Sequence, residues 1–162
     1  MDTNKKPLIA YFSCSGQTRR LAHTLAETTG GQLHEIQPVQ AYTASDLDWN
    51  DKSSRSSLEM ADPACRPAIQ NKVAQMDQYD LVFLGFPIWW YEAPRIIATF
   101  LESYDFTGKT VIPFATSGGS GMGKTDSILQ KICPAPRWLP GARLSPQASQ
   151  DQLRTWIEQL GC

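Results

Sequence analysis

The stretch Ser13-Cys14-Ser15-Gly16-Gln17-Thr18-Arg19 decides the fold of this chain, because it joins a strand to a helix. The residues before it, Leu8-Ile9-Ala10-Tyr11-Phe12, have the length and the apolar content of a buried β-strand. After it, Leu21 and Leu25 recur at the spacing of one helix face. The sequence therefore predicts a strand, a short turn rich in hydroxyl groups, and a helix.

Hydroxyl side chains suit this turn to binding a phosphate group. Ser13, Ser15 and Thr18 would offer O–H donors beside the unpaired N–H groups of the helix N-terminus, where the helix dipole adds partial positive charge. Gly16 would let the backbone approach a ligand closely. The alternative is a simple helix cap, in which Thr18 accepts an N–H bond of the first turn and no ligand binds.

Predicted strands and helices alternate along the rest of the chain, which favours a parallel sheet covered on both faces. The further strands are predicted at Gln32–Ile36, Asp80–Phe86, Thr110–Ala115 and, weakly and interrupted by Pro140-Gly141, Trp138–Leu144. The further helices are predicted at about Pro94–Ser103, Lys124–Cys133 and Ser149–Leu160. Between the second and third strands runs a long excursion, residues 38–67, for which Leu58-Glu59-Met60 and Ala68–Met76 could supply short helices.

Composition limits the classes of protein that this chain can represent. Its 162 residues predict a single domain over 1–162, with a loose tail at 1–6. A net charge of −1 gives no basic field for nucleic acid. The four scattered cysteines form no metal motif, and no apolar run is long enough for a secretion signal or a membrane span. We expect a cytoplasmic protein with reduced thiols, no metal, no nucleic-acid partner and no membrane partner.

Three unusual loops follow the first, third and fourth predicted strands. They are the hydroxyl turn at 13–18, the aromatic run Pro87-Ile88-Trp89-Trp90-Tyr91, and the glycine-rich run at 116–123. The carboxyl ends of parallel strands meet at one edge of a sheet, and ligands bind there. We therefore expect the three loops to form one site.

These three loops resemble the cofactor loops of the flavodoxin family. Ser13–Thr18 is similar to the family's loop for the FMN phosphate, Gly85–Trp90 to the loop whose Trp lies on the flavin ring, and Thr116–Gly121 to the third flavin loop. The resemblance implies a doubly wound, five-stranded parallel sheet in the order 2-1-3-4-5 with helices on both faces. It also implies FMN, held non-covalently by Ser13, Ser15, Gly16, Gln17, Thr18, Pro87, Ile88, Trp89, Trp90, Thr116, Ser117, Gly118 and Gly119. Trp89 is the expected ring contact.

Two functions are compatible with this resemblance. The first is a flavodoxin-like electron carrier that acts between redox partner proteins. The second is an FMN-dependent oxidoreductase that takes electrons from NAD(P)H and reduces quinones or similar small acceptors. The chain lacks the strong acidity and the third-loop aromatic residue of many flavodoxins, with Met122 the nearest large apolar side chain, and an open ring face could admit such molecules. Because the flavin itself performs the redox chemistry, no catalytic side chain is predicted.

Three other interpretations compete with the flavin site. Gly118–Thr125 matches the phosphate loop of nucleotide hydrolases, but no later strand ends in an Asp that could help to hold magnesium. Cys14 and Arg20 have the Cys-x5-Arg spacing of a phosphatase, but Leu21 follows where a hydroxyl residue belongs. A flavin-free binding module on the same fold would leave the paired Trp residues without a role.

Overall fold

Strands and helices alternate as the sequence predicts, in a computed structural model that describes residues 6–117 and 121–161. The strands are β1 (Leu8–Tyr11), β2 (Gln32–Glu35), β3 (Leu81–Pro87), β4 (Thr110–Thr116), β5 (Arg137–Trp138) and β6 (Ala142–Arg143). The helices are α1 (Gln17–Thr29), α2 (Arg55–Ala61), α3 (Arg95–Glu102), α4 (Thr125–Ile132) and α5 (Gln150–Leu160). The tail expected at 1–6 lies, apart from Lys6, outside the described residues.

The sheet has the order β2-β1-β3-β4-β5, and its neighbouring strands are parallel. This is the 2-1-3-4-5 order that the resemblance implied, and it is confirmed. The weak fifth strand is split at the predicted place: β5 and β6 both pair with β4, on either side of Pro140-Gly141. Proline lacks the N–H that a continuous strand needs, which explains the break.

The core consists of two apolar clusters, one on each face of the sheet. On β1, Leu8 and Ala10 belong to one cluster, while Ile9 and Tyr11 belong to the other, because side chains alternate along a strand. The first cluster includes residues of α3 and α4, and the second includes residues of α1 and α5. Helices therefore cover both faces, as expected of a parallel sheet buried on both sides.

The excursion at 38–67 contains one regular element, α2, which includes the predicted Leu58-Glu59-Met60. The helix predicted at Ala68–Met76 is absent. In its place, the backbone pairs with the start of the excursion: Val39 N donates to Ala68 O over 2.9 Å, and Gln70 N donates to Gln37 O over 2.8 Å. These tertiary bonds override the local preference and close the base of the excursion.

Strand register brings the three unusual loops to one edge of the sheet. Tyr11 at the end of β1 is level with Gly85 of β3, and Pro87 at the end of β3 is level with Thr116 at the end of β4. The loops that follow are therefore neighbours, which is the arrangement predicted. No helix in residues 6–117 and 121–161 has the length and apolar character needed to cross a membrane.

Candidate functional site

The first loop is folded around the Ser13 hydroxyl. Its Oγ accepts hydrogen bonds from the backbone N–H groups of Gly16 and Arg19, each over 3.2 Å. Gly16 has a φ of +89°, which L side chains rarely adopt, and a Cβ placed there would meet nothing within 4 Å. The loop is thus held by short-range bonds and is open on its outer side.

The donors of this loop fit a phosphate group. The backbone N–H groups of Ser15, Gln17 and Thr18 have no hydrogen-bond partner within the described part of the chain, and all three lie at the N-terminus of α1. Ser15 and Gln17 are exposed. The nearby cation, Arg19, is paired with Glu35 over 2.5 Å, so the loop offers neutral donors in place of a free positive charge. Such a donor set suits an exposed phosphate monoester.

Thr18 does not cap the helix, so the prediction of Thr18 as the capping residue was wrong. The residue lies inside α1, is 2% exposed, and its Oγ1 is 2.8 Å from Thr116 Oγ1 at the end of β4. One of these two hydroxyls donates to the other, and this leaves a single O–H in the pair for a ligand. The bond joins the first loop to the third.

The third loop is also joined to the second. Ile88 N donates to Thr116 O over 2.9 Å, just beyond the paired ends of β3 and β4. Ser117 is half-buried at the start of the third loop. The predicted residues Gly118 and Gly119 lie outside the described residues.

The second loop is a tight hairpin that presents Trp90 and Tyr91 at its tip. Trp89 and Glu92 exchange two backbone hydrogen bonds of 2.8 and 3.0 Å, and the two residues between them have φ of +49° and +65°. Turns of this kind usually contain Asn and Gly, because positive φ is strained for large side chains. Trp90 and Tyr91 are nevertheless 42% and 66% exposed. Strain retained at an exposed aromatic tip is typical of a functional loop.

Trp89 points the other way, into a cluster of rings. Its ring centre is 5.9 Å from that of Phe12 and 5.6 Å from that of Tyr42, both edge to face. Phe12 and Tyr42 are themselves 5.5 Å apart. The indole is half-buried, so one part is fixed by the cluster while the rest faces outward. This preorganises Trp89 for a flat ligand.

Tyr42 belongs to the excursion, and part-buried polar contacts within the excursion hold its side chain in place. The Arg55 guanidinium lies 3.7 Å over the Tyr42 ring and donates to Glu59 over 2.9 Å. The Tyr42 hydroxyl donates to the same carboxylate over 2.6 Å. Burial first, and then Glu59, raise the pKa of Tyr42, so the phenol stays protonated.

Arg95 connects the excursion to the second loop. Its side chain is 6% exposed and donates to Glu59 O over 3.3 Å, to Met60 O over 2.7 Å and to the Glu92 carboxylate over 3.0 Å. Glu92 closes the hairpin that carries Trp90. One buried cation therefore holds both the last turn of α2 and the aromatic loop.

Cys14 is a neutral thiol, which argues against the phosphatase interpretation. Burial raises the pKa of Cys14 to about 12. Arg55 lowers this pKa and Glu59 raises it, both by smaller amounts. A nucleophilic cysteine requires a thiolate near neutral pH. Cys14 also packs against the apolar core. The side chain fills space behind the first loop.

The Thr125 hydroxyl, which a nucleotide hydrolase would use to hold magnesium, is occupied within the chain. Thr125 is fully buried, and its Oγ1 lies within hydrogen-bond distance of the carbonyl oxygens of both Met122 and Tyr91, between which its single O–H is shared. The Thr125 hydroxyl therefore joins the third loop to the aromatic hairpin. Among the described residues, no group of His, Cys, Asp and Glu side chains could hold a metal ion.

Sequence reasoning missed the residues that the excursion contributes to this edge. Tyr42 contacts the Trp89 ring, and Arg55 lies over the Tyr42 ring. Trp49 lines the same two cavities as Trp90. Only the isolated aromatic character of Tyr42 and Trp49 in a polar segment could have suggested them.

Comparison with known proteins identifies close relatives. The model of the flavodoxin family matches residues 6–160. A candidate flavoprotein from Bacteroides eggerthii is 48% identical, with 98% of this chain and 99% of that one covered and a TM-score of 0.94. Another, from Bacteroides uniformis, is 51% identical over 95% of this chain and 98% of that one, with a TM-score of 0.90.

A more distant structure contains bound FMN. It is a flavoprotein from Lactobacillus acidophilus in complex with FMN, which is 23% identical over 94% of this chain and 99% of that one, with a TM-score of 0.74. This similarity shows a shared fold. No protein with a curated function matches the chain in sequence.

Proposed function

Because this chain belongs to the flavodoxin family, we propose that it binds FMN non-covalently and transfers electrons between redox partners. The proposal rests on one observation: loops with complementary chemistry meet at one edge of the sheet. The first offers unpaired N–H and O–H donors, and the second offers a preorganised aromatic face. The FMN complex of the Lactobacillus acidophilus protein, which shares the fold, supports the same cofactor.

Each loop would hold a different part of FMN. The phosphate would bind Ser13, Ser15, Gly16, Gln17 and Thr18, and the ring would lie on Trp89 beside Pro87, Ile88 and Trp90. Thr116, Ser117, Gly118 and Gly119 would face the polar edge of the ring. When bound, FMN supplies the redox chemistry, because its ring exchanges electrons and hydride without a protein acid or base. The chain's own contribution is to orient the ring and exclude water from its inner face.

The charge around the aromatic hairpin supports a carrier that acts on protein partners. Residues 46–62 contain five carboxylate and two cationic side chains, and Asp48, Asp51 and Asp62 are exposed. A local acidic surface steers a basic partner even where the whole chain is nearly neutral. We also propose a cytoplasmic location, in keeping with the free thiols of Cys14, Cys65 and Cys133.

A second candidate function is supported by a cavity beside the proposed ring site. It has a volume of about 300 Å³ and is lined by Trp89, Trp90 and Tyr91, among others. Such a space suits a small acceptor of the quinone type, with NAD(P)H as the source of electrons. The chain would then be an oxidoreductase that turns over without a partner protein.

Two measurements test these proposals in sequence. The purified protein is mixed with FMN and desalted, and we expect flavin absorption bands in a stoichiometric amount. A colourless protein would overturn the FMN proposal. The loaded protein is then incubated with NADH or NADPH and a small quinone. We expect no steady-state oxidation for a pure carrier, whereas sustained turnover would establish the second function and overturn the first.

A further inference from the structure

Trp49 of the excursion and Trp90 of the hairpin tip border the same two cavities. One cavity, of about 300 Å³, is lined by Leu47, Trp49, Ser56, Ile88, Trp89, Trp90 and Tyr91. The other, of about 590 Å³, is lined by Trp49, Asn50, Lys52, Ser57, Met60, Ala61 and Trp90. We call the two together the tryptophan groove. Its volume is in the range of small-molecule sites.

Among the described residues, neither tryptophan of the groove stacks on another aromatic ring. Trp49 is 70% exposed, and Trp90 is 42% exposed. Large exposed aromatic side chains that border the same cavity are uncommon in a protein surface that binds nothing. They provide two large apolar side chains along the same space.

Ser56 adds a polar group that lacks a partner. The residue is 2% exposed and lines the smaller cavity, and its Oγ has no hydrogen-bond partner in the part of the chain that the structure describes. An unpaired buried hydroxyl is costly, so its presence beside a cavity indicates a ligand that completes the bond. A hydroxyl of this kind can donate to a carbonyl oxygen.

The charges of the lining restrict the ligand further. The described lining of the smaller cavity contains no charged side chain, which suits a neutral ligand. The larger cavity contributes the Asn50 amide and the Lys52 ammonium, both exposed donors that could meet a second oxygen. A flat, neutral ring with oxygen acceptors on opposite sides matches both ends of the groove.

We propose that the tryptophan groove binds a planar aromatic acceptor of the quinone class, with its ring between Trp49 and Trp90 and one carbonyl oxygen on Ser56. Trp89 lines the same groove and is the proposed contact of the flavin ring, so this inference rests on the proposed FMN site. Bound there, the acceptor lies next to the cofactor.

The test measures binding of menadione, a neutral naphthoquinone, to the FMN-loaded, oxidised protein by equilibrium dialysis. Trp49→Ala is expected to weaken binding about fivefold or more, because a stacked ring surface is lost. Ser56→Ala is expected to weaken it about fivefold, through the loss of one hydrogen bond. Leu58→Ala is the matched control: Leu58 is exposed in the same segment but lines neither cavity, and binding should stay within about twofold.

Additional measurements separate this inference from the FMN proposal. Both groove variants should retain FMN after desalting, and Ser56→Ala should keep or raise the melting temperature because no hydrogen bond is removed. Equal affinity for menadione in wild type, Trp49→Ala and Ser56→Ala would overturn the groove while leaving the FMN site intact. Competition between FMN and menadione in the apoprotein would also overturn it, since the groove would then be part of the flavin site. Failure to bind FMN would instead overturn the proposed function.

Discussion

The first loop, Ser13–Thr18, is the proposed site of the FMN phosphate, and we call it the phosphate loop. This loop and the excursion, residues 38–67, border the same site but are held in different ways. The loop is shaped by bonds that span a few residues, such as those from the N–H groups of Gly16 and Arg19 to Ser13 Oγ. The excursion is joined to the rest of the chain by side chains that are distant in sequence, above all Arg95. A local loop keeps its shape when distant parts change, whereas the excursion depends on a few buried contacts. The two regions should therefore respond separately to substitution.

The largest expected effect comes from Arg95→Met. This substitution keeps an unbranched side chain but leaves Glu59 O and Met60 O without their buried donor. We expect the free energy of unfolding to fall by about 3 kcal/mol, measured by urea denaturation. FMN should still bind, with weaker affinity, because the phosphate loop does not contact Arg95.

A matched control for Arg95 is Arg154→Ala. Arg154 pairs with Asp151 on the surface of α5, with the two side chains 52% and 92% exposed, so its loss should change the unfolding free energy by about 0.5 kcal/mol or less. Similar losses for the two variants would mean that Arg95 does not anchor the excursion.

Trp89→Ala is expected to weaken flavin binding by about 1–3 kcal/mol, because the ring loses its aromatic contact. The loss should be the same for FMN and for riboflavin, which lacks the phosphate. Titration of the apoprotein, followed by flavin fluorescence, gives both affinities. Trp49→Ala serves as the control and should leave them unchanged. An unaltered FMN affinity in Trp89→Ala would assign the ring contact to another residue.

The contrast between the two regions also explains which features could be predicted from sequence. Leu8–Phe12 and Asp80–Phe86 show their strand character in their own residues, and the loops that follow them show hydroxyl or aromatic character. The parallel order then brings those loops together. A local pattern was sufficient for each of these steps.

Features that depend on distant partners were not predictable in this way. The sequence alone is compatible with Thr18 as a helix cap, but the partner of its hydroxyl is Thr116, far along the chain. Ala68–Met76 has a plausible helical composition, yet its backbone pairs with residues 37–39. The contact of Tyr42 with Trp89 likewise arises only when the excursion folds back on the sheet.

Thr18→Val tests the phosphate loop, and it should lower FMN affinity less than Trp89→Ala does. The nearly isosteric valine removes the bond to Thr116 Oγ1 and one donor for the phosphate. We expect FMN affinity to fall by about 1 kcal/mol, while riboflavin affinity stays unchanged. Thr24→Val on the same helix is the control, since Thr24 Oγ1 bonds only to Arg20 O at an exposed position. Equal losses of affinity for FMN and riboflavin would argue that Thr18 acts on the flavin ring through Thr116.

The smallest effect is expected at Cys14, which lies within the phosphate loop but packs behind it. Cys14→Ala should leave FMN affinity within about twofold of wild type. Burial raises the pKa of Cys14 from its ordinary value of 9.0 to about 12, so the folded protein carries almost no thiolate at pH 8. Iodoacetamide reacts with the thiolate, and peptide mass spectrometry should therefore show slower labelling of Cys14 in the native protein than in urea.

The same shift in the pKa of Cys14 determines how the stability of the folded protein changes with pH. The unfolded chain loses this proton near pH 9, before the folded protein does, so the stability that the neutral thiol contributes is complete below pH 9 and is lost as the pH rises toward 12. Wild type should thus lose stability relative to Cys14→Ala above pH 9, and the difference should be constant below it. Rapid labelling of native Cys14 at pH 8 would contradict this account. It would mean that the thiol is ionised beside the helix N-terminus, and the phosphate loop would then have to be considered as a site of nucleophilic chemistry.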